Sequence, residues 1–340
     1  MREPAFWHRP RSFKSHLLRP FAAFYGAIAA LRLQRKGFEA GVPVLCVGNY
    51  HLGGAGKTPT VLAMAKILQE LGERPVVLSR GYGGERRGPL LVDLERHSAR
   101  DVGDEPLMLA AHLPVVVARD RIDGVALAKS RLASAILMDD GFQNPAVVKD
   151  AALIVIDSER GIGNGLVFPA GPLRAPLSAQ LARTDALVVI GRGKAAKAVA
   201  ATVAAAGKPV LEARLDPDPT AVAKLRGKRV LAFAGIGDPA RFFRTLQASG
   251  IEVAQQMAFA DHHRFSVGEI EAVVADAKRD DLILVTTEKD LVRLLSDAEL
   301  SALASEIVAF PVTLQFDDAA GLRTLLADRL FNAREKALRR

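Results

Sequence analysis

A single cysteine, Cys46, among 340 residues excludes an intramolecular disulfide. It stands in the apolar run Val42–Val47, where a thiol behaves as a small buried hydrophobe. Aromatic residues are scarce at 6%, which leaves little for stacking against nucleic-acid bases. No apolar run reaches the roughly 20 residues that cross a bilayer. The apolar stretch Phe21–Leu31 follows Pro20 and lacks the small-residue cleavage site of a secretory signal. A cytosolic body is expected. Acidic residues are rare at the start: Arg2, Arg9, Arg11, Lys14, Arg19, Arg32, Arg35 and Lys36 face only Glu3. With a net charge of +8, the chain calls for an anionic partner: nucleotide, nucleic acid or acidic lipid.

What is present is alternation. Within residues 1–40, Leu17, Phe21, Phe24, Ile28 and Leu31 fall on one helical face between basic flanks. Two readings fit: a helix lying in a membrane interface, or one packed on the protein's own core. From Gly41 onward, short Val/Ile/Leu-rich runs alternate with helical stretches. The strands read as Val42–Gly48, Pro75–Ser79, Val115–Ala118, Ala135–Asp139, Leu153–Asp157, Ala186–Ile190 and Pro209–Ala213. This pattern predicts an α/β/α sandwich around a mostly parallel sheet, over 41–215. Asp-Pro-Asp-Pro at 216–219 suggests a linker over 216–225. A second, smaller α/β domain is expected over 226–335, with one of its strands at Ile307–Leu314.

The strongest local signal is Val42–Val47 followed by Gly48-Asn-Tyr-His-Leu-Gly53-Gly54-Ala55-Gly56-Lys57-Thr58. A buried strand, a glycine-rich turn and a helix start form a phosphate cradle of backbone N–H groups. Lys57 can reach the β- and γ-phosphates, and the Thr58 hydroxyl can bind Mg²⁺. His51 stands where the strict pattern has glycine. The loop is that of the P-loop NTPases, and it predicts ATP with Mg²⁺. An acidic partner for the cation is expected at another strand end, and Ala135-Ile-Leu-Met-Asp139-Asp140 supplies it. Asp104, in Gly103-Asp-Glu-Pro106, is either a helix N-cap or a carboxylate able to take a proton from a substrate hydroxyl. Asp261-His262-His263 reads from its residues alone as a turn. Arg80, Arg119, Arg121 and Arg174 lie in basic loops near predicted strand ends, where open α/β sheets bind ligands.

In order, these motifs resemble the tetraacyldisaccharide 4'-kinase family. The matching stretches are Val47-Gly-Asn49 with Gly53–Pro59, Leu78–Gly83, Gly103–Pro106, Asp139-Asp-Gly-Phe-Gln143, Gly163-Asn-Gly165, Pro169–Arg174, Ala234–Gly237, Asp261–His263 and Thr287-Glu-Lys-Asp290. The resemblance implies transfer of the ATP γ-phosphoryl group to the 4'-hydroxyl of a tetraacylated glucosamine disaccharide 1-phosphate, giving lipid IVA. It implies attachment to the cytoplasmic face of a bacterial inner membrane through the N-terminal helix. It also implies an active site in the cleft between two domains. By the same resemblance, Lys57 and Thr58 are the phosphate-loop pair, and Asp139 and Asp140 stand near Mg²⁺. Asp104 corresponds to the proposed base and His262 to the histidine that pairs with it. Arg174 and Gln143 lie near nucleotide and metal. The chain departs from the family pattern at Ala175, where glutamate is usual, and at Asn144, where histidine is usual.

Two other readings compete. A P-loop GTPase or metallochaperone would need guanine recognition through Asn-Lys-x-Asp, and Thr287-Glu-Lys-Asp290 lacks that spacing. A DNA-partitioning ATPase would use the basic surface, yet no nucleic-acid motif is present.

Overall fold

In the computed structural model, residues 4–339 are described. Arg2 and Glu3, counted above among the charged residues at the start, lie outside them. The strands in chain order are β1 Val44–Gly48, β2 Pro75–Ser79, β3 Leu90–Leu91, β4 Val115–Val117, β5 Ala135–Asp139, β6 Ala151–Asp157, β7 Ala186–Ile190, β8 Val210–Pro217, β9 Arg229–Ala234, β10 Glu252–Ala258, β11 Ile283–Thr286, β12 Val308–Ala309 and β13 Val312–Phe316. Nine form one sheet in the order β13-β8-β7-β6-β1-β5-β2-β4-β3, and four form another in the order β10-β9-β11-β12. The large sheet is parallel except at its two ends, where β13 and β3 run antiparallel to their neighbours.

The unbroken apolar runs become central strands because helices cover both faces. Val61, Met64 and Leu68 of helix Lys57–Glu70 share one core with Leu322, Leu326 and Leu330 of helix Ala319–Leu338. Val125, Val199 and Val203 from two further helices share the core of the opposite face with Cys46. Burial pushes the Cys46 thiol up to about 11, so the cysteine is inert packing. Val47 of β1 pairs with Asp139 of β5, which sets the strand feeding the phosphate loop level with the strand ending in carboxylates.

Two expected boundaries move. Ile307–Leu314 is not one strand: β12 joins the small sheet and β13 the large one. Pro311 lies between them and has no N–H for a ladder. The chain end, β13 and helix Ala319–Leu338, therefore belongs to the large sheet, not to a second domain reaching 335. The expected linker 216–225 is ordered structure. Asp216 and Pro217 complete β8, and Pro219–Leu225 is a helix capped by Asp218, whose Oδ1 accepts from Ala221 N at 2.8 Å. Proline suits a first helical turn, where its missing N–H costs nothing. The smaller domain is thus an insertion between two antiparallel strands, held at its neck by Asp218 N donating to Pro311 O at 3.0 Å.

Helix Arg19–Leu33 carries Phe21, Phe24, Ile28 and Leu31 of the predicted stripe, while Leu17 ends the short helix Phe13–Leu17 before it. Leu17, Phe21, Phe24, Ile28 and Leu31 are 44–73% exposed, so the stripe does not pack on the core. The opposite face is small: Ala22 and Gly26 are buried, and Gly26 sits against Pro176 and Val167. Among the described residues, no helix is long and apolar enough to cross a membrane.

Candidate active site

β1 ends at Gly48, and the chain turns through Asn49–Gly56 into helix Lys57–Glu70. Gly53 and Gly56 have φ of +96° and +87°. At Gly56 an added Cβ would also lie 2.6 Å from Ile190 Cδ1, so conformation and space both demand glycine. Asn49 Nδ2 braces the loop by donating to Gly53 O at 2.9 Å. The helix has no side-chain cap, which leaves its first N–H groups available to an anion. Gly54 is exposed, Ala55 is buried, and Thr58 stands in the first turn of the helix.

Two adjacent aspartates differ sharply. Asp139 is 2% exposed. Its Oδ2 accepts from Ser79 Oγ at 3.4 Å, while Oδ1 has no hydrogen-bond partner among the described residues. Burial, then the neighbouring Glu105 charge, push its pKa well above the usual carboxylate range. Asp140 faces the opposite influence. Burial opposes its ionisation, but Lys57 and then Arg174 outweigh it and hold its pKa at about 2. Arg174 forks onto it at 2.9 and 3.1 Å, and Lys57 Nζ lies 3.8 Å away.

Arg174 also donates from Nε to His51 O at 3.1 Å and from Nη1 to Gln143 Oε1 at 3.3 Å. Gln143 Nε2 donates to Asn49 O at 2.7 Å and to Gln180 Oε1 at 3.0 Å. Gln180 is fully buried and donates to the carbonyls of Tyr50 and Ala175. Arg174 and Gln143 therefore brace the loop from behind. Ala175 is itself fully buried, and Asn144 closes a turn by accepting from Ala146 N at 2.8 Å.

Among the described residues, Asp139 Oδ1, which lacks a hydrogen-bond partner, and the hydroxyl of Thr58 in the first helical turn are oxygen donors that a cation could use. Among the described residues, no three His, Cys, Asp or Glu side chains converge on a metal position. That set fits Mg²⁺, which takes one or two protein oxygens and fills its octahedron with phosphate oxygens and water.

The second cluster spans the domains. Asp104 is the first residue of helix Asp104–Ala110 and not its cap; its Oδ1 accepts from Glu105 N at 3.0 Å. His262 Nδ1 lies 3.0 Å from Asp104 Oδ2 and 3.2 Å from Oδ1. Because an ionised carboxylate only accepts, the imidazole donates from Nδ1. Tyr82 packs edge-on to the His262 ring at 5.4 Å between centroids. Lys289 Nζ is 3.6 Å from Asp104 and 3.1 Å from Glu105, and Arg293 Nη2 is 2.5 Å from Asp104. Burial of Asp104 opposes its charge. The His262 hydrogen bond and the charges of Lys289, His262 and Arg293 prevail, and hold its carboxyl far below the usual range. Glu105 is likewise lowered, first by Lys289.

The small domain touches the phosphate loop as well: a Cβ on Gly237 would lie 3.7 Å from Gly54 N. Further along, Arg241 pairs with the buried Asp157 at 2.5 Å. Sequence reasoning assigned no role to Lys289 or Arg293. Their spacing of four on helix Glu288–Leu295, within and just after Thr287-Glu-Lys-Asp290, is the signal that points to one shared face.

The family profile described as tetraacyldisaccharide-1-P 4'-kinase (LpxK) matches residues 14–331. This chain belongs to that family. Its relatives named tetraacyldisaccharide 4'-kinase include one from Bradyrhizobium diazoefficiens, 67% identical over 99% of this chain and 98% of its own length. Another, from Rhodopseudomonas palustris, is 64% identical over the full length of both. Among solved structures, LpxK from Aquifex aeolicus in complex with ATP superimposes with a TM-score of 0.70 at 27% identity, covering 93% of this chain and 99% of that one. The α/β architecture is that of the family, and the chain is an ATP-dependent kinase acting on tetraacyldisaccharide 1-phosphate.

Proposed function

We propose that the γ-phosphoryl group of ATP, seated on Gly53, Gly54, Ala55, Gly56, Lys57 and Thr58, passes to the 4'-hydroxyl of the acylated disaccharide in the cleft between the domains. The observation that carries this reading is the Asp104–His262 contact at 3.0 Å between the two domains. It stands close to the loop, because helix Asp104–Ala110 packs against helix Lys57–Glu70, which the loop opens.

In this reading the helix N-terminus and Lys57 hold the phosphates. Thr58 and Asp139 hold Mg²⁺, while Gln143, expected near the metal, instead braces the loop through Asn49 O and Arg174. When bound, the cation neutralises charge on the phosphate oxygens. Asp140 and Arg174 keep Lys57 and the loop in position. Asp104 accepts the proton of the attacking hydroxyl, and His262 orients it. A carboxylate so strongly stabilised is a weak base. Phosphoryl transfer nevertheless has a loose transition state, in which the hydroxyl gives up its proton late. A fixed acceptor then serves mainly by position. Contact between the domains shields the phosphoryl group from water.

The helix Arg19–Leu33 lies in a membrane interface, at the cytoplasmic face of the inner membrane, where a tetraacylated substrate resides. Support comes from its exposed stripe of Phe21, Phe24, Ile28 and Leu31, continued by Phe13 and Leu17 of the short helix before it, beside Arg11, Lys14, Arg19 and Arg32. Each large apolar side chain contributes about 1.5–3 kcal/mol when fully transferred from water.

The test is label transfer from γ-labelled ATP to tetraacyldisaccharide 1-phosphate in detergent, with Lys57→Ala alongside. Labelled lipid is expected from the wild type, with a loss of at least about a hundredfold in the variant. ATP hydrolysis without labelled lipid would contradict the acceptor. A second arm is flotation with anionic vesicles: Phe21→Ser/Phe24→Ser is expected to stay in solution while the wild type floats.

A further inference from the structure

We infer that Arg293 is the positioning residue of the active site: one guanidinium fixes both Asp104 and the turn that carries His262, and so aligns the two domains for transfer. This rests on the reading that Asp104 and His262 serve the reaction.

Arg293 is 10% exposed and all but buried between the domains. Nη2 donates to Asp104 Oδ2 at 2.5 Å. Nη1 donates to the backbone oxygen of His263 at 3.0 Å and to Asp290 Oδ1 at 2.8 Å. Its guanidinium carbon lies 5.8 Å from the centre of the Phe265 ring. Asp290 is fully buried and is itself held, accepting from Gly235 N at 3.0 Å and Thr287 Oγ1 at 2.7 Å. The fork is therefore aimed from within the small domain, and Asp104 meets a group whose direction is already set.

The contact with the His263 carbonyl bears on His262 directly. His262 has φ +56°, a left-handed conformation that a residue with a side chain adopts only where its surroundings impose it. A bond to the very next carbonyl helps impose it. The same guanidinium thus fixes the acceptor on one domain and the backbone of its partner on the other. Lys289 cannot replace it. That ammonium lies 3.6 Å from Asp104 and also serves Glu105 at 3.1 Å, supplying charge without a planar fork. The groups facing the Asp104 carboxylate are then Arg293, Lys289 and His262, with Glu105, Asp261, Asp290 and Tyr82 around them. Arg241 and Asp157 join the domains elsewhere and touch neither member of the pair.

The experiment compares Arg293→Met and Arg293→Lys with wild type in lipid phosphorylation, each also in an Asp104→Asn background, with affinity for a non-hydrolysable ATP analogue measured in parallel. Arg293→Met is expected to lower kcat by roughly 30- to 300-fold, the scale of a reacting group displaced by about 1 Å. Affinity for the analogue stays within about threefold, since Arg293 touches no part of the phosphate loop. Arg293→Lys recovers only part of the loss, because it restores charge without the fork. In the Asp104→Asn background, Arg293→Met costs less than about threefold further, because the group it positions is already disabled. Wild-type kcat in Arg293→Met, or an undiminished loss in the Asp104→Asn background, overturns the inference. Should Arg293→Met lose its fold, Arg293→Lys decides: wild-type turnover there overturns it equally. A wild-type enzyme that leaves the lipid unlabelled would overturn the underlying reading, and this one with it.

Discussion

The phosphate loop and the Asp104–His262 pair both lie where the two domains meet, yet they are held in opposite ways. The loop is local. One strand, one turn and one helix build it, and Asn49, Gln143, Arg174 and Gln180 brace it from the same domain. The pair is remote. Its members are 158 residues apart and meet only because the small domain is inserted between β8 and β13, so that both of its ends are tied to the large sheet. The first site requires a backbone shape; the second requires two bodies in register. In the proposed reading, a kinase whose acceptor is a lipid uses both: a nucleotide site built within one domain, and a pair completed only where the two domains meet.

Breaking the local side should have the larger effect on nucleotide. Gly56→Ala places a Cβ where φ is +87° and Ile190 stands 2.6 Å away. Strain of about 1–3 kcal/mol is expected to reach the bound state, lowering ATP affinity by up to about a hundredfold. Titration with an ATP analogue checks this. Wild-type affinity would show that the loop tolerates a side chain there.

A smaller effect separates the two neighbouring carboxylates by sign. Asp140 has a folded pKa of about 2, below its unfolded value of about 3.9. Its stabilisation is present above pH 4 and is lost as pH falls toward 2. Asp139 is raised. Its ionisation opposes folding once pH exceeds the unfolded value, and more so up to the folded one. Without nucleotide, Asp139→Asn is therefore expected to stabilise the protein at pH 8 by about 0.5–2 kcal/mol while abolishing transfer. Asp140→Asn should flatten the decline of Tm between pH 5 and pH 2. Melting curves against pH decide both, and destabilisation by Asp139→Asn at pH 8 would reverse the argument.

The same contrast explains what could be read from the sequence. The parallel sheet, the phosphate loop and the paired aspartates were legible because apolar runs and glycine spacing are local properties. Asp104 and His262 could be joined only through family resemblance, since nothing in a turn of Asp-His-His points to a helix start in another domain. The end of the small domain was misplaced because Val312–Phe316 is only partly apolar and pairs with a strand about a hundred residues earlier. Arg293 went unnoticed for a similar reason: an arginine on a short helix looks solvated until Asp104 is brought against it. The linker over 216–225 failed on a different point, since Asp218-Pro219 starts a helix as readily as it breaks one.

The most direct test of a site completed by two domains is His262→Ala, measured at once for ATP-analogue affinity and for lipid phosphorylation. Affinity within about threefold of wild type, with turnover lower by roughly 10²–10⁴, is the expected result. Undiminished turnover, or a parallel loss of nucleotide affinity, would contradict it.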